Sequence, residues 1–365
     1  MLPLASLDDL TLAWLTTTLA EHGVLSTGCV LAYQMRSNTA FNSSIAHLEL
    51  AYSAAAPADA PRALLIKHNA NGDGELEAGF YQLVAMLPTV PPMLVPCYAA
   101  LYDPTSGNST CLLQDLSATH ATPTERADVL ALRGVPTDTQ FDQIVDALAQ
   151  FHAFWWEHPR FGSIPKVLDV RPWYRDAAFH DQHVQRRTNE WQQFISAEGP
   201  WFPADLRALY EHALDQLPLL WERYLALRMP QFQAMTLSNG DCYFAQFLCP
   251  TVPGTNQAYI VDWQDVSVNL DAYDLVYLFA TFWTSPQRRE HGREERLLRR
   301  YLDQLRAHGV ASYTWDTLLV DYRLMIAYML FDPIWNAASG SSKSYWWPKL
   351  QCLVAAYRDL NCAQF

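Results

Sequence analysis

Two stretches decide how this chain reads. The first is Ser238-Asn239-Gly240-Asp241-Cys242-Tyr243-Phe244-Ala245-Gln246-Phe247-Leu248. The second, after a short Pro/Gly turn, is Tyr259-Ile260-Val261-Asp262-Trp263-Gln264-Asp265-Val266-Ser267. Apolar runs at Phe244–Leu248 and Ala258–Asp262, flanking turn residues 252–255, predict a hairpin. One carboxylate, Asp241, stands just before the first strand, and a second, Asp262, ends the second strand. A hairpin of this kind can bring both acids to one edge, with the amide oxygen of Gln246 as a further ligand. Mg²⁺ takes one or two carboxylates and completes its shell with phosphate and water. A base, one or two metal ligands and a lysine to neutralise phosphate charge make up the equipment for phosphoryl transfer.

Outward from the hairpin, the chain changes character near residue 115. Before it, Ile45–Tyr52 alternates as a half-buried strand does. Pro57–Pro61 is turn chemistry, and Ala63–Lys67 is a short apolar strand ending on a lysine. Glu75–Leu87 has helical spacing (Phe80, Leu83, Val84, Leu87) and stops at Pro88. Thr110–Gln114 is a further strand. From about residue 138 the pattern is helical. Phe141, Ile144, Val145, Leu148, Phe151 and Trp155 fall on one face, and Thr139 with Asp142 suggests an N-cap. Further helices are expected at about 204–227, 287–308 and 315–331.

The chain has 365 residues, 50% of them hydrophobic, which suits two lobes with sizeable cores. Its formal net charge is −13, from 25 basic and 38 acidic residues. Residues 1–115 hold only Arg36, Arg62 and Lys67 against ten acids. That surface repels nucleic acid and anionic membrane, so neither is an expected partner. It also makes Lys67, alone in an apolar strand, conspicuous. No apolar run is long enough to span a bilayer. MLPLASLDDL lacks a basic n-region, so no secretory leader is expected. Seven cysteines with no close C-x-x-C pair read as reduced thiols of a cytoplasmic protein.

At these residues the chain resembles the aminoglycoside phosphotransferase/choline kinase group, with a flavour of its ecdysteroid-kinase-like branch. Asn239–Gln246 stands where that group has H-G-D-x-x-x-x-N. Ile260-Val261-Asp262-Trp263-Gln264 matches its metal-binding strand, and Ala272-Tyr273-Asp274-Leu275 the helix motif that follows. Upstream, Ala63–Lys67, Glu77 and Leu112–Leu116 resemble the lysine strand, its glutamate and the nucleotide hinge.

The resemblance implies an α+β, bilobal protein-kinase-like fold. A β-rich lobe would span 1–115, and a helical lobe 116–365, with the catalytic hairpin at 238–265 and an acceptor pocket. It also implies roles. Asp241 would be the catalytic base. Lys67 would pair with phosphate and be held by Glu77. Asn42, Ser43 and Ser44 would cover the phosphates, and Gln114, Asp115 and Leu116 would hold the adenine. Asp262 and Gln246 would bind Mg²⁺, and Asp274 would brace the loop. The expected cofactors are ATP, with GTP left open, and Mg²⁺. The expected partner is a small-molecule hydroxyl acceptor.

The chain departs from the group's pattern at Asn239 (for histidine), at Gln246 (for asparagine, one methylene longer) and in the glycine-free turn 36–44. These departures leave open a non-catalytic nucleotide-binding scaffold, or nucleotidyl transfer with pyrophosphate release. Trp335, Tyr345, Trp346 and Trp347, with Asp265, Asp271 and Asp332, could form a pocket for a cationic or sugar-like acceptor. The favoured reading is that they are the aromatic core of a Trp-rich chain. The run Arg288, Arg289, Arg293, Arg296, Arg299 and Arg300 reads as a salt-bridged helix face or an anion patch. Asn69–Gly74 imitates a calcium loop, but its twelfth position is Phe80. His180 and His183 lack a third ligand.

Overall fold

A computed structural model describes residues 1–39, 43–70, 72–163, 166–170, 175–252 and 257–364. Asn42 and most of the turn 252–255 therefore lie outside the described residues. The chain divides into two compact units. One comprises Met1–Ala121, Ile164–Val167 and Leu248–Val266; the other comprises Thr122–Ser163, Leu168–Phe247 and Ser267–Phe365.

The first unit is built on a five-stranded antiparallel sheet. Its strands are β1 (Val30–Thr39), β2 (Ser44–Tyr52), β3 (Ala63–Asn69), β4 (Cys97–Tyr102) and β5 (Ser109–Gln114), in the order β1-β2-β3-β5-β4. The alternation read in β2 is real: Ala46, Leu48 and Leu50 face inward. They pack with Leu64, Ile66 and Leu112 against helix α1 (Leu12–Glu21), which buries Leu15 and Leu19. Each such leucine contributes about 1.5–3 kcal/mol relative to exposure. The sequence reading missed α1. Its Thr16-Thr17-Thr18 run is β-branched and its apolar residues lie all round, so it shows no clean helical stripe.

Helix α2 (Glu75–Ala85) lies close to the strands at its N-terminus. A Cβ at Gly74 would fall 1.8 Å from Ser109 Oγ, so only glycine fits there. The segment Leu248–Val266, assigned from sequence to the helical lobe, groups with the first unit. The reason is strand pairing. Phe247–Pro250 lies antiparallel to His120–Ala121, with Tyr259–Ile260 on its other side, and Leu94 bridges to Ile260. Both predicted strands are shorter than expected, because Phe244–Gln246 is a 3-10 turn and Asp262 leaves strand geometry at φ 63°.

The second unit is mostly helical. Its helices are α3 (Arg126–Leu130), α4 (Asp138–Trp155), α5 (Ala177–Glu198), α6 (Ala204–Leu220), α7 (Asp271–Phe279), α8 (Ser285–Arg289), α9 (Arg293–Ala307), α10 (Trp315–Met329), α11 (Asp332–Ala338) and α12 (Lys343–Asp359). The six apolar residues read on α4 are all buried. Its cap is Thr137, which forms a reciprocal capping box with Gln140, and not Thr139 with Asp142. Thr137 has the extended backbone a cap requires, whereas Thr139 is already helical.

All six arginines of the 288–300 run have carboxylate partners. Arg288 reaches Glu294 and Asp359, Arg289 reaches Asp359, and Arg293 reaches Glu290. Arg296 and Arg300 reach Asp138, Asp142 and Asp146 on α4, and Arg299 reaches Glu295. The run is a salt-bridged face, not an anion patch.

All seven cysteines are free thiols. Among the described residues no helix is long and apolar enough to cross a membrane.

Candidate active site

Each unit carries one chemically dense centre. In the first unit β3 delivers Lys67 into the interior, where it is 6% exposed. Its ammonium lies 2.7 Å from Glu77 Oε2 on α2 and 2.7 Å from Asp262 Oδ1, 195 residues away in sequence. Burial alone would push the lysine's pKa down, but the two carboxylates outweigh it and hold the proton firmly. Glu77 is driven upward by its own burial, against the pull of Lys67.

Asp262 is positioned by its left-handed backbone, which aspartate tolerates better than most residues. The residues after it lock the turn. The Trp263 N–H points to Glu77 Oε1 at 3.4 Å, the Trp263 ring stacks on Phe80 at 4.2 Å, and Gln264 Nε2 donates to Asn69 Oδ1 at 3.2 Å. The Asp262 side chain keeps 32% exposure, so it can still meet a ligand.

The other first-unit candidates sit on the same sheet. Asp115 accepts from His47 Nδ1 at 2.7 Å and from the Ser117 N–H at 2.9 Å. Burial opposes its ionisation, yet these two donors hold its carboxyl below the usual range. His47 was missed in the sequence because only the β2–β3 register brings it there. The Gln114 and Asp115 N–H groups are spent on Pro96 and Ala63 carbonyls. Among the described residues the Leu116 N–H donates to no partner. Ser43 is half-buried, and Ser44, exposed, opens β2.

In the second unit the loop after the strand Thr236–Ser238 wraps around Asp274 of α7. This fully buried carboxylate accepts from the Asn239 N–H at 2.8 Å, the Gly240 N–H at 3.0 Å, Ser238 Oγ at 3.1 Å and His152 Nε2 at 3.1 Å. Gly240 has φ 89°, which turns the chain to present Asp241. Asn239 is buried, with Oδ1 accepting the Asp241 N–H at 3.3 Å. Gln246 Nε2 donates to Asp241 Oδ2 at 3.2 Å. His152, held also by Tyr301 at 2.7 Å, is a bracing residue that sequence reading missed. It sits 122 residues from Asp274, with no local signal.

Beneath the loop, Asp271 and Asp321 share the single hydroxyl proton of Tyr313, at 2.9 and 2.7 Å. Arg228 neutralises Asp321 at 2.6 and 3.0 Å. Burial, followed by repulsion from Asp321, pushes Asp271 up to about 6. Its folded value lies above the unfolded one near 3.9, so this contribution to stability is full below pH 4 and is lost as pH rises through 6. Asp271→Asn should therefore be more stable than wild type at pH 7.5, by an amount on the order of 3 kcal/mol, with the gap closing near pH 4. Denaturant midpoints at the two pH values check this, and equal gaps at both would refute it.

Most of the aromatic cluster proves to be core or surface. Trp346 packs on Phe194, Trp347 on Trp201, and Trp335 is exposed. His180 and His183 are buried on α5, and burial depresses them to about 4 and about 2. His180 Nε2 lies 2.8 Å from the Tyr328 hydroxyl. Among the described residues no three His, Cys, Asp or Glu side chains gather as a metal cluster.

Comparison with solved structures bears on the fold. Choline kinase from Cryptosporidium parvum Iowa II matches at TM-score 0.54 and 10% identity, over 90% of this chain and 89% of that one. A microcompartment-associated aminopropanol kinase matches at 0.51 and 13%, over 90% and 91%. A choline/ethanolamine kinase family protein from Mesorhizobium loti matches at 0.50 and 12%, over 91% and 92%. At such identities the likeness shows the fold, which is protein-kinase-like, as the hairpin motifs led us to expect. No curated protein sequence matches the chain. The family model of the ecdysteroid kinase-like family matches residues 83–310, more than half the chain and the whole Asn239–Asp274 motif region; the protein belongs to that family.

Proposed function

We propose that this protein is an ATP- and Mg²⁺-dependent phosphotransferase of the cytoplasm, acting on a hydroxyl of a small molecule. The observation that carries the reading is the ion-pair centre of Lys67 with Glu77 and Asp262. A buried lysine is held between two carboxylates at 2.7 Å, one of them partly exposed and able to exchange its lysine contact for a metal. Lys67, fixed by Glu77, would pair with phosphate oxygens. Gln114, Asp115 and Leu116 would form the hinge that holds the base, with the Leu116 N–H as its donor, and Ser43 and Ser44 would lie over the phosphates. Asp262 and Gln246 would hold Mg²⁺, which supplies charge neutralisation at the transferring phosphoryl group. Asp241, partly exposed on a loop braced by Asp274, would orient the acceptor hydroxyl and take its proton. Positioning and preorganised charge do most of this work.

A second reading, a nucleotide-binding scaffold, has one observation in its favour. Gln246 spends its amide nitrogen on the Asp241 carboxylate and so occupies part of the base. Nucleotide products separate the readings. Wild type given ATP, Mg²⁺ and a pool of hydroxylated metabolites should release ADP, without AMP or pyrophosphate. Gln246→Asn should lower the rate, because it shortens a working ligand. A sharp rise with Gln246→Asn would mean the native site is attenuated, and pyrophosphate release with the mass of AMP gained by the product would mean nucleotidyl transfer.

A further inference from the structure

Lys349, on α12, is deeply buried, at 3% exposure. Lys67 has two carboxylates; among the described residues Lys349 has none. Among the described residues its ammonium contacts only Asn336 Oδ1, at 3.5 Å, and the faces of three rings: Tyr345 at 5.0 Å, Phe282 at 5.3 Å and Tyr277 at 5.6 Å from the centroids. An ammonium has three protons to donate, and one long contact to a neutral amide meets one of them at best. The rings offset part of the desolvation cost, but they supply no counter-charge.

The surroundings tie this cage to the catalytic loop of the same unit. Phe282 packs on the Tyr243 ring at 5.5 Å, two residues beyond Asp241. Burial, then the neighbouring Asp241 carboxylate, pushes the Tyr277 phenol well above its ordinary value. Tyr277 and Tyr345 are only half-buried, so the cage has a side from which a ligand can approach.

On the phosphotransferase reading above, we propose that Lys349 recognises the acceptor, and that this acceptor is a hydroxyl compound carrying a carboxylate or phosphate group. An incoming anion supplies the counter-charge that the buried ammonium lacks. The same ammonium fills the aromatic cage that a quaternary or protonated amine would otherwise occupy, and repels such a group. The sequence offered these aromatic residues and nearby acids as a pocket for a cationic or sugar-like acceptor, or as core; an anionic hydroxyl compound is proposed in place of the cation. Asp271 turns inward to Tyr313, and Asp332 faces Arg187 at 3.5 Å, so neither stands open to a cation.

The test begins without nucleotide. Thermal unfolding is followed with 10 mM glycerate, glycerol phosphate, glycerol or choline. The two anions should raise the melting temperature of wild type, glycerol and choline should not, and the anion effect should vanish in Lys349→Met. That variant keeps the length and packing of the stem and should itself fold as stably as wild type; Lys349→Gln serves as a second check. Stabilisation by choline, no stabilisation by either anion, or an anion effect that survives in both variants would overturn the proposal. ADP release with the same four compounds is then measured separately, with at least a tenfold preference in kcat/KM for the anions expected. Anion binding without ADP release would retain the site and remove the kinase reading. ADP release favouring choline would retain the kinase reading and remove the anionic acceptor.

Discussion

Asp241→Asn should lower turnover by about two to four orders of magnitude while leaving nucleotide affinity unchanged. Proton transfer by a positioned side chain contributes about 10²–10⁴ in rate. The substitution removes a basic oxygen without changing side-chain size. The loop itself does not depend on the Asp241 carboxylate. Its N–H is held by Asn239 Oδ1 at 3.3 Å, and the preceding two N–H groups are held by Asp274. The Gln246 amide can turn to keep a bond to the new side chain. The loss should therefore fall on kcat. Rapid-quench measurement of ADP formation, beside nucleotide titration by calorimetry, reads the two quantities separately. A rate within tenfold of wild type would remove Asp241 from the base role.

The second large effect is structural. Asp274→Ala should destabilise the second unit by an amount on the order of 5 kcal/mol and abolish turnover. Four donors converge on this buried carboxylate: two backbone N–H groups, a serine hydroxyl and His152. Hydrogen bonds to a charged group are worth about 1.5–3 kcal/mol each, and buried donors left unpaired carry their full desolvation cost. A loss of that size is a large part of the 5–15 kcal/mol by which domains are ordinarily stable. Chemical denaturation monitored by tryptophan fluorescence checks it. A loss under about 1 kcal/mol would mean that the loop is braced elsewhere.

How legible these features were depends on the range over which each is set. Asp241, Asp262 and Asp274 lie in short ordered motifs whose spacing is itself informative. Lys67 stood out because it is the only lysine in an acidic, apolar stretch. The partners of these residues were not legible. His47 reaches Asp115 through strand register, and His152 reaches Asp274 because α4 and α7 both pack on the strand Thr236–Ser238. Lys349 meets Tyr277, Phe282 and Asn336 only once α12 has docked. Element ends failed for local reasons. Asp262 was read as a strand end, but its positive φ breaks the strand at Ile260. Helix α1 was hidden by three consecutive threonines.

The most direct measurement is thermal unfolding of the wild-type protein with Mg²⁺ alone, ATP alone, and both, beside Asp262→Asn. Asparagine tolerates the left-handed backbone of this position and removes only the charge. A ligand at about a hundred times its dissociation constant stabilises by ~2.7 kcal/mol, which is a shift of a few degrees. The expected result is a shift that requires ATP and Mg²⁺ together and disappears in Asp262→Asn. A shift indifferent to Mg²⁺, or one that Asp262→Asn retains in full, would contradict a metal–nucleotide site at the Lys67–Glu77–Asp262 centre.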